Sequence, residues 1–328
     1  MKQLPEPYGH SPLRRPNSVR RTTHIDITWP DGEAQPMHFV GCGRDILTGE
    51  CAPSIRVLLQ DDFTASVTMD RKILSIESSC NRCDVGALAG FTGGAYLRAV
   101  LQERFPEERN AGTPLYLLLD DLSGSSLIAG WAFTQRPGYV DDFNIQVVED
   151  PGLRQTMMNV CLGFAEGSTS LSGELGSTTS ERCAVVESLV NPEDPDGWPA
   201  MADYTQTSMR RARRIDVWFE GQMTRAEVYF QDTASRADGS RVAVHEYCLQ
   251  AYVDTSSGAL VRLDAEPHIL PYPECPNAIA NLDRLLGTPV QDLRMTVLRR
   301  LARTEGCTHL NDAVRSLAEV PVLATYLR

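Results

Sequence analysis

Lysine is almost missing from this chain: of its 31 basic residues only Lys2 and Lys72 are lysines. Schiff-base and pyridoxal chemistry need a desolvated lysine amine, and this scarcity speaks against both. Positive charge is short overall, with a formal balance of -12 over 328 residues. Phosphate surfaces attract basic proteins, so nucleic acid and anionic lipid are not expected partners. No apolar run approaches the roughly 18 residues of a membrane span. The opening segment MKQLPEPYGHSPLRRPN lacks the apolar stretch of a signal peptide, which places the expected site of action in the cytoplasm, away from membranes.

Several familiar motifs are missing as well. No glycine loop ends in Gly-Lys-Ser/Thr, no Gly-x-Ser-x-Gly elbow occurs, and His245-Glu246 begins a zinc-protease helix motif without completing it. Gly41 and Gly43 supply two glycines of a dinucleotide fingerprint, but the third is absent and so is the strand–helix context. The expectation is that no organic cofactor is bound. The nine cysteines are odd in number and scattered, which reads as free thiols in a reducing compartment. Cys80 and Cys83 form a lone Cys-x-x-Cys with no second pair at finger spacing, so a structural role is the plainer reading. Cys275, Cys307 and His309, with His245 as a fourth donor, are a looser set that could hold zinc.

What the chain does contain is a repeat. Arg20-Arg21-Thr22-Thr23-His24-Ile25-Asp26-Ile27 aligns with Arg210-Arg211-Ala212-Arg213-Arg214-Ile215-Asp216-Val217 at an offset of 190, with four of eight positions identical. Both alternate apolar and polar residues, the period-two signature of a strand with one buried face. The arginine clusters could clamp a carboxylate or phosphate, or simply sit solvated beside acids at the start of each strand. Further on, Ala65–Asp70 with Ile73–Ile76 answers Gln250–Asp254 with Leu260–Leu263, each a hairpin candidate. The helical pattern Leu97–Phe105 answers Leu293–Leu301, and a second helix begins at Thr113 or Thr308, each placed to cap it.

This order predicts an α+β fold: an internally duplicated unit of antiparallel sheet and helix pair, in a pseudo-two-fold arrangement. The expected divisions are an arm at 1–18, a first repeat at 19–135, a connecting or lid segment at 136–208 and a second repeat at 209–328. A helix is expected from Gly152 to Ala165 and a Gly/Ser/Thr-rich stretch from Glu166 to Ser180. The Asn191–Pro199 run containing Trp198 must be irregular because its prolines break helix.

Where the copies differ, chemistry appears. His309 stands where the first copy has Pro114, in a first helical turn that favours a neutral imidazole. Arg214 replaces His24, on a polar face shared with Asp26 and Asp216 that either lines a cleft or meets water. His245 and Tyr247 share an apolar strand face, and Tyr272 and Glu274 follow a rigid proline turn. Core packing with satisfied hydrogen bonds is the plain alternative for each.

The segments His245-Glu-Tyr, Tyr272-Pro-Glu-Cys275, Leu285-Leu-Gly287 and Gly306-Cys-Thr-His-Leu310 together resemble a bacterial domain-of-unknown-function family, number 2889. The resemblance spans about Arg210 to Leu317, and the first copy, with Gly112-Thr-Pro-Leu115, lacks the Cys-His pair. It implies no established activity, only an association with the breakdown of aromatic compounds. The resulting expectation is a cofactor-independent acid–base lyase or isomerase acting on a small phenolic molecule, releasing an aldehyde in the lyase case. His309 or His245 would move the proton, Tyr272 or Tyr247 hold the phenolic oxygen, and Arg214 or Arg294 stabilise negative charge. His24, Asp216, Glu274 and Trp198 would complete the substrate contacts. A non-catalytic binding or scaffold protein and a zinc hydrolase built on Cys275, Cys307 and His309 are the alternatives, and the expected partners are a small-molecule substrate and a second copy in a homodimer.

Overall fold

The computed structural model describes residues 6–50, 55–136, 151–172 and 182–328, with only the backbone given for Leu153. A nine-stranded sheet organises them: β1 (Ser18–Thr28), β2 (Met37–Thr48), β3 (Ile55–Val67), β4 (Ile73–Glu77), β5 (Ala184–Val186), β6 (Ser208–Glu220), β7 (Met223–Ser235), β8 (Arg241–Asp254) and β9 (Leu260–Ile269). The order is β4-β3-β2-β1-β6-β7-β8, with β5 and β9 both on the outer edge of β8. Every pairing is antiparallel. The α+β class and both hairpins, β3–β4 and β8–β9, stand as the sequence predicts.

Helices lie against one face. They are α1 (Ala95–Arg104), α2 (Pro106–Ala111), α3 (Pro114–Ile128), α4 (Pro151–Met157), α5 (Thr169–Ser172), α6 (Leu293–Arg300), α7 (Thr308–Arg315) and α8 (Val320–Thr325), with short 3-10 turns between some of them. Thr113 caps α3 as expected, accepting a bond from the Tyr116 amide at 3.2 Å. Thr308 does not cap α7. Cys307 occupies that position without a side-chain bond, and the Thr308 hydroxyl instead lies 3.2 Å from Nδ1 of His309. The helix expected from Gly152 to Ala165 stops at Met157, because Asn159 takes a left-handed backbone (φ 62°) and a separate 3-10 turn follows at Leu162–Phe164. The expected lid and its Gly/Ser/Thr-rich stretch fall partly, at 137–150 and 173–181, outside the described residues.

The central strands depart most from expectation. β1 is buried at every position, and β6 is buried from Ser208 to Trp218, so neither has a solvent face. One face of the sheet meets the helices. The other is crossed by the N-terminal segment around Tyr8–Arg14 and by residues near Leu189–Trp198: Trp198 donates to Ser11 Oγ at 2.8 Å, and Arg14 Nη2 binds Asp194 at 2.7 Å. The arginines that suggest solvated strand starts are interior. Arg20 and Arg210 each grip the aspartate directly opposite on the neighbouring strand, Arg20 to Asp216 and Arg210 to Asp26, both with a Nε–Oδ1 distance of 2.6 Å. Such desolvated, bidentate pairs keep buried guanidinium groups charged.

Two apolar clusters flank this centre. One is built on Ile215, Val228, Leu249, Leu293 and Leu310, the other on Ile27, Phe39, Phe63, Leu97 and Leu118. Each includes residues from the opposite half: Val19 and Leu117 join the first, Met209, Ala234 and Val244 the second.

Between them, under the helices, lies a charged layer. Arg21 binds Asp45 and Glu319, Arg211 binds Asp232 and Asp312, Arg213 binds Asp121, and Arg294 and Arg315 both reach Asp120. Arg98 closes the set through Asp312.

Candidate metal centre

Strand pairing sets Asp232 of β7 directly opposite His245 of β8, just before a bulge between Asp232 and Thr233. Both side chains point to the helix face, where α7 brings His309 over them. The two imidazoles stack with ring centroids 3.4 Å apart and planes within 17° of parallel. Oδ2 of Asp232 lies 3.3 Å from Nδ1 of His245 and 3.7 Å from Nε2 of His309. All three residues are buried, with His309 the most accessible at 9%. Neither ring nitrogen makes an aligned hydrogen bond within the described residues, which leaves two buried donor-acceptor atoms unsatisfied.

Arg211 sets the carboxylate. Its Nε and Nη2 meet the two oxygens of Asp232 at 2.8 and 3.0 Å, and its Nη1 reaches Asp312 on α7 at 3.1 Å. Gly124 of α3 makes room for that guanidinium: a Cβ there would lie 2.0 Å from Arg211 Nη1. Burial alone would raise the Asp232 carboxyl, but Arg211 and the neighbouring His245 hold it well below the ordinary carboxylate range. Burial lowers His245, and burial together with the neighbouring His245 pushes His309 down further. The centre is therefore one carboxylate and two neutral imidazoles, the protonation state that metal ligation requires.

One of its spacings, the 3.3 Å from Asp232 Oδ2 to His245 Nδ1, is that of two ligands of one ion, while the 3.7 Å to His309 Nε2 is wider. Two donors each about 2.0–2.1 Å from a tetrahedral centre lie roughly 3.3–3.4 Å apart. Among the described residues, Asp232, His245 and His309 are the one group of three histidine, cysteine or acidic side chains whose donor atoms all fall within 4.8 Å of each other. Cys275 and Cys307, the other members of the sequence-derived zinc set, are not in it. Cys307 receives the Tyr247 hydroxyl at 3.6 Å, and Cys275 lies against Gly163 beside Cys161. Burial pushes all three thiols up, Cys161 to about 12.

The remaining expected site residues divide between the two faces of the sheet. Tyr247 and Arg294 share the helix face with the centre, Arg294 bound to Asp120 at 2.7 Å and to Glu319. Arg214, Asp216, His24 and Trp198 lie on the opposite face. Arg214 pairs with Asp216 and Glu227 there, and His24 Nε2 is 3.9 Å from Asp26. The sheet separates them from His245 and His309, so one pocket cannot contain both sets. Tyr272 is buried edge-on against Phe164, and Glu274 accepts both the amide and hydroxyl of Thr169. These two residues secure α5 and its approach.

Sequence reading overlooked Asp232 and Arg211 as site residues. A signal was present: Val228, Phe230 and Asp232 alternate onto one face, and a charge at the end of an apolar stripe must find a buried partner.

Residues 209–323 match a family described as a protein of unknown function (DUF2889), which includes Asp232, His245 and His309. No curated protein and no solved structure matches the chain. No helix among the described residues is long and apolar enough to cross a membrane.

Proposed function

With its second half in a family whose description names no activity, we propose that this chain is a metal-dependent lyase, its divalent first-row ion held by Asp232, His245 and His309. The observation carrying this reading is the convergence of one arginine-set carboxylate and two neutral, stacked imidazoles with unsatisfied nitrogens. A two-histidine, one-carboxylate set leaves coordination positions open for substrate oxygen and suits zinc or iron(II). In this reading His245 and His309 are ligands, not proton carriers.

The carboxylates nearest through Arg211, Asp312 and Asp121, are both held by arginines, so proton transfer at this centre would run through water. For carbon–carbon cleavage, an ion held by Asp232, His245 and His309 would supply the electron sink at a bound phenolic or carbonyl oxygen. Water at the centre would take the substrate hydroxyl proton as the adjacent carbon–carbon bond breaks and an aldehyde leaves. The electron pair of that bond would pass onto the conjugated oxygen, and the same water would return the proton to the carbon. Aldehyde release from small hydroxyalkyl phenols, abolished by chelation and restored by zinc or iron(II), is the expected result. Undiminished release from His245→Ala and His309→Ala proteins contradicts the reading.

The duplication enters the same proposal. Arg210 and Asp216 lie 190 positions after Arg20 and Asp26, and each arginine grips the other copy's aspartate across β1–β6. This reciprocity supports two copies of one unit about a pseudo-two-fold, the second of which acquired the metal ligands.

A further inference from the structure

A cleft of about 880 Å³ opens between α1 of the first half and α6 and α8 of the second. One side is cationic. Arg98, Arg294 and Arg315 form its inner wall, while Arg109, Arg299 and Arg300 stand at its more exposed margin. The inner three are bound to Asp120, Asp312 and Glu319. The marginal three differ. Among the described residues, Arg109 donates only to Asn110 and Arg300 to the Arg284 carbonyl and Thr288, and neither these two nor Arg299 has a carboxylate partner. Among the described residues, three guanidinium groups around one concavity thus have no ion-pair partner, although Asp292 and Glu319 line it too, Glu319 being taken by Arg21 and Arg294.

The rest of the lining is mixed: Tyr116, Met295, Leu298, Pro321 and Val322 give it an apolar part, beside polar Gln102, Gln291 and Thr296 and the acids Asp292 and Glu319. A concave site of this size, with an apolar part beside its polar anchors, suits a small molecule better than a peptide or membrane surface. Arginine forks are built for planar oxyanions.

We propose that this cleft binds a small molecule with an apolar body and a carboxylate or phosphate head, the head held by Arg109 and Arg299. The site stands independently of the metal proposal, since none of the three metal ligands lines it. It is nonetheless connected: Arg98 and Arg315 bind Asp312, which Arg211 shares with Asp232.

Three probes titrated into the full-length protein test the proposal: 2-naphthoate, 2-naphthyl phosphate and the uncharged 2-naphthalenemethanol. Fluorescence and calorimetry should show saturable one-to-one binding of at least one anionic probe, at least tenfold tighter than the alcohol and weakened by added salt. The better of the two identifies the head group. Arg109→Ala/Arg299→Ala should lower that affinity at least tenfold while the melting temperature holds, since neither side chain carries an ion pair. Arg299→Glu should abolish it. Equal binding of charged and uncharged probes, or full affinity in a folded double variant, overturns the proposal. So does full anion affinity retained by Arg299→Glu.

Discussion

His245 and His309 lie face to face with ring centroids 3.4 Å apart, one carried by a strand and the other by a helix 64 positions later. A protonated pair at that separation would repel strongly, so the stack requires neutral rings. A shared ion would bind the nitrogens that are otherwise unsatisfied. Removal of either ring should therefore lower zinc affinity by at least 100-fold, read by competition with a chromogenic chelator, while the apo-protein keeps its circular dichroism spectrum.

Arg211 should act at one remove. It touches Asp232 without touching the ion position, and outer partners of metal ligands typically contribute 10- to 100-fold in affinity. Arg211→Lys keeps the charge but loses the fork, so a loss of about tenfold is expected. A variant that binds zinc as well as the parent would show that the fork does not orient the carboxylate.

Gly124 gives a packing test of the same contact. A methyl group there collides with Arg211 and Asp312, neither of which can move without breaking its ion pairs. Gly124→Ala should destabilise the fold by about 1–3 kcal/mol in urea unfolding, despite the better helix propensity of alanine. A stabilised protein would mean that the guanidinium has room to shift.

On the opposite face, His24 should make stability depend on pH. Burial, aided by Arg210 and opposed by Asp26, lowers its pKa from 6.5 to about 4. The folded state thus binds the proton less readily than the unfolded chain. The stability it contributes is full above pH 6.5 and is lost as pH falls toward 4, an effect of up to ~3 kcal/mol. Denaturant midpoints measured from pH 7.5 to 4.5 should fall accordingly, and His24→Phe should flatten that part of the profile.

The reciprocal pairs at the sheet centre should be costly to break singly. Asp26→Ala strands Arg210 in the interior, and about 3–5 kcal/mol of stability should go with it. A loss below 1 kcal/mol, again by urea unfolding, would indicate that water reaches the guanidinium.

These relationships were unequally visible in the sequence. Alternation in β1, β6 and both hairpins is a local property, and Thr113 announces its helix by the capping rule. Burial of the arginine-rich strands on both faces was hidden, because Arg20, Arg21, Arg210 and Arg211 have the composition of a solvated face. Their partners Asp216, Asp45, Asp26 and Asp232 lie 21 to 196 positions away. His245 and His309 were each legible as chemically distinctive residues, yet their meeting depends on how α7 crosses β8. Asp232 joins them only through strand register, and Arg214 leaves them for the same reason: a strand sends successive side chains to opposite faces.

Metal content of the purified protein, measured by inductively coupled plasma mass spectrometry after equilibration with zinc or iron(II) and removal of free ion, tests the central claim most directly. The account predicts close to one ion per chain in the parent and almost none in Asp232→Ala/His245→Ala. A parent that retains no ion, or a double variant that retains as much, would contradict it.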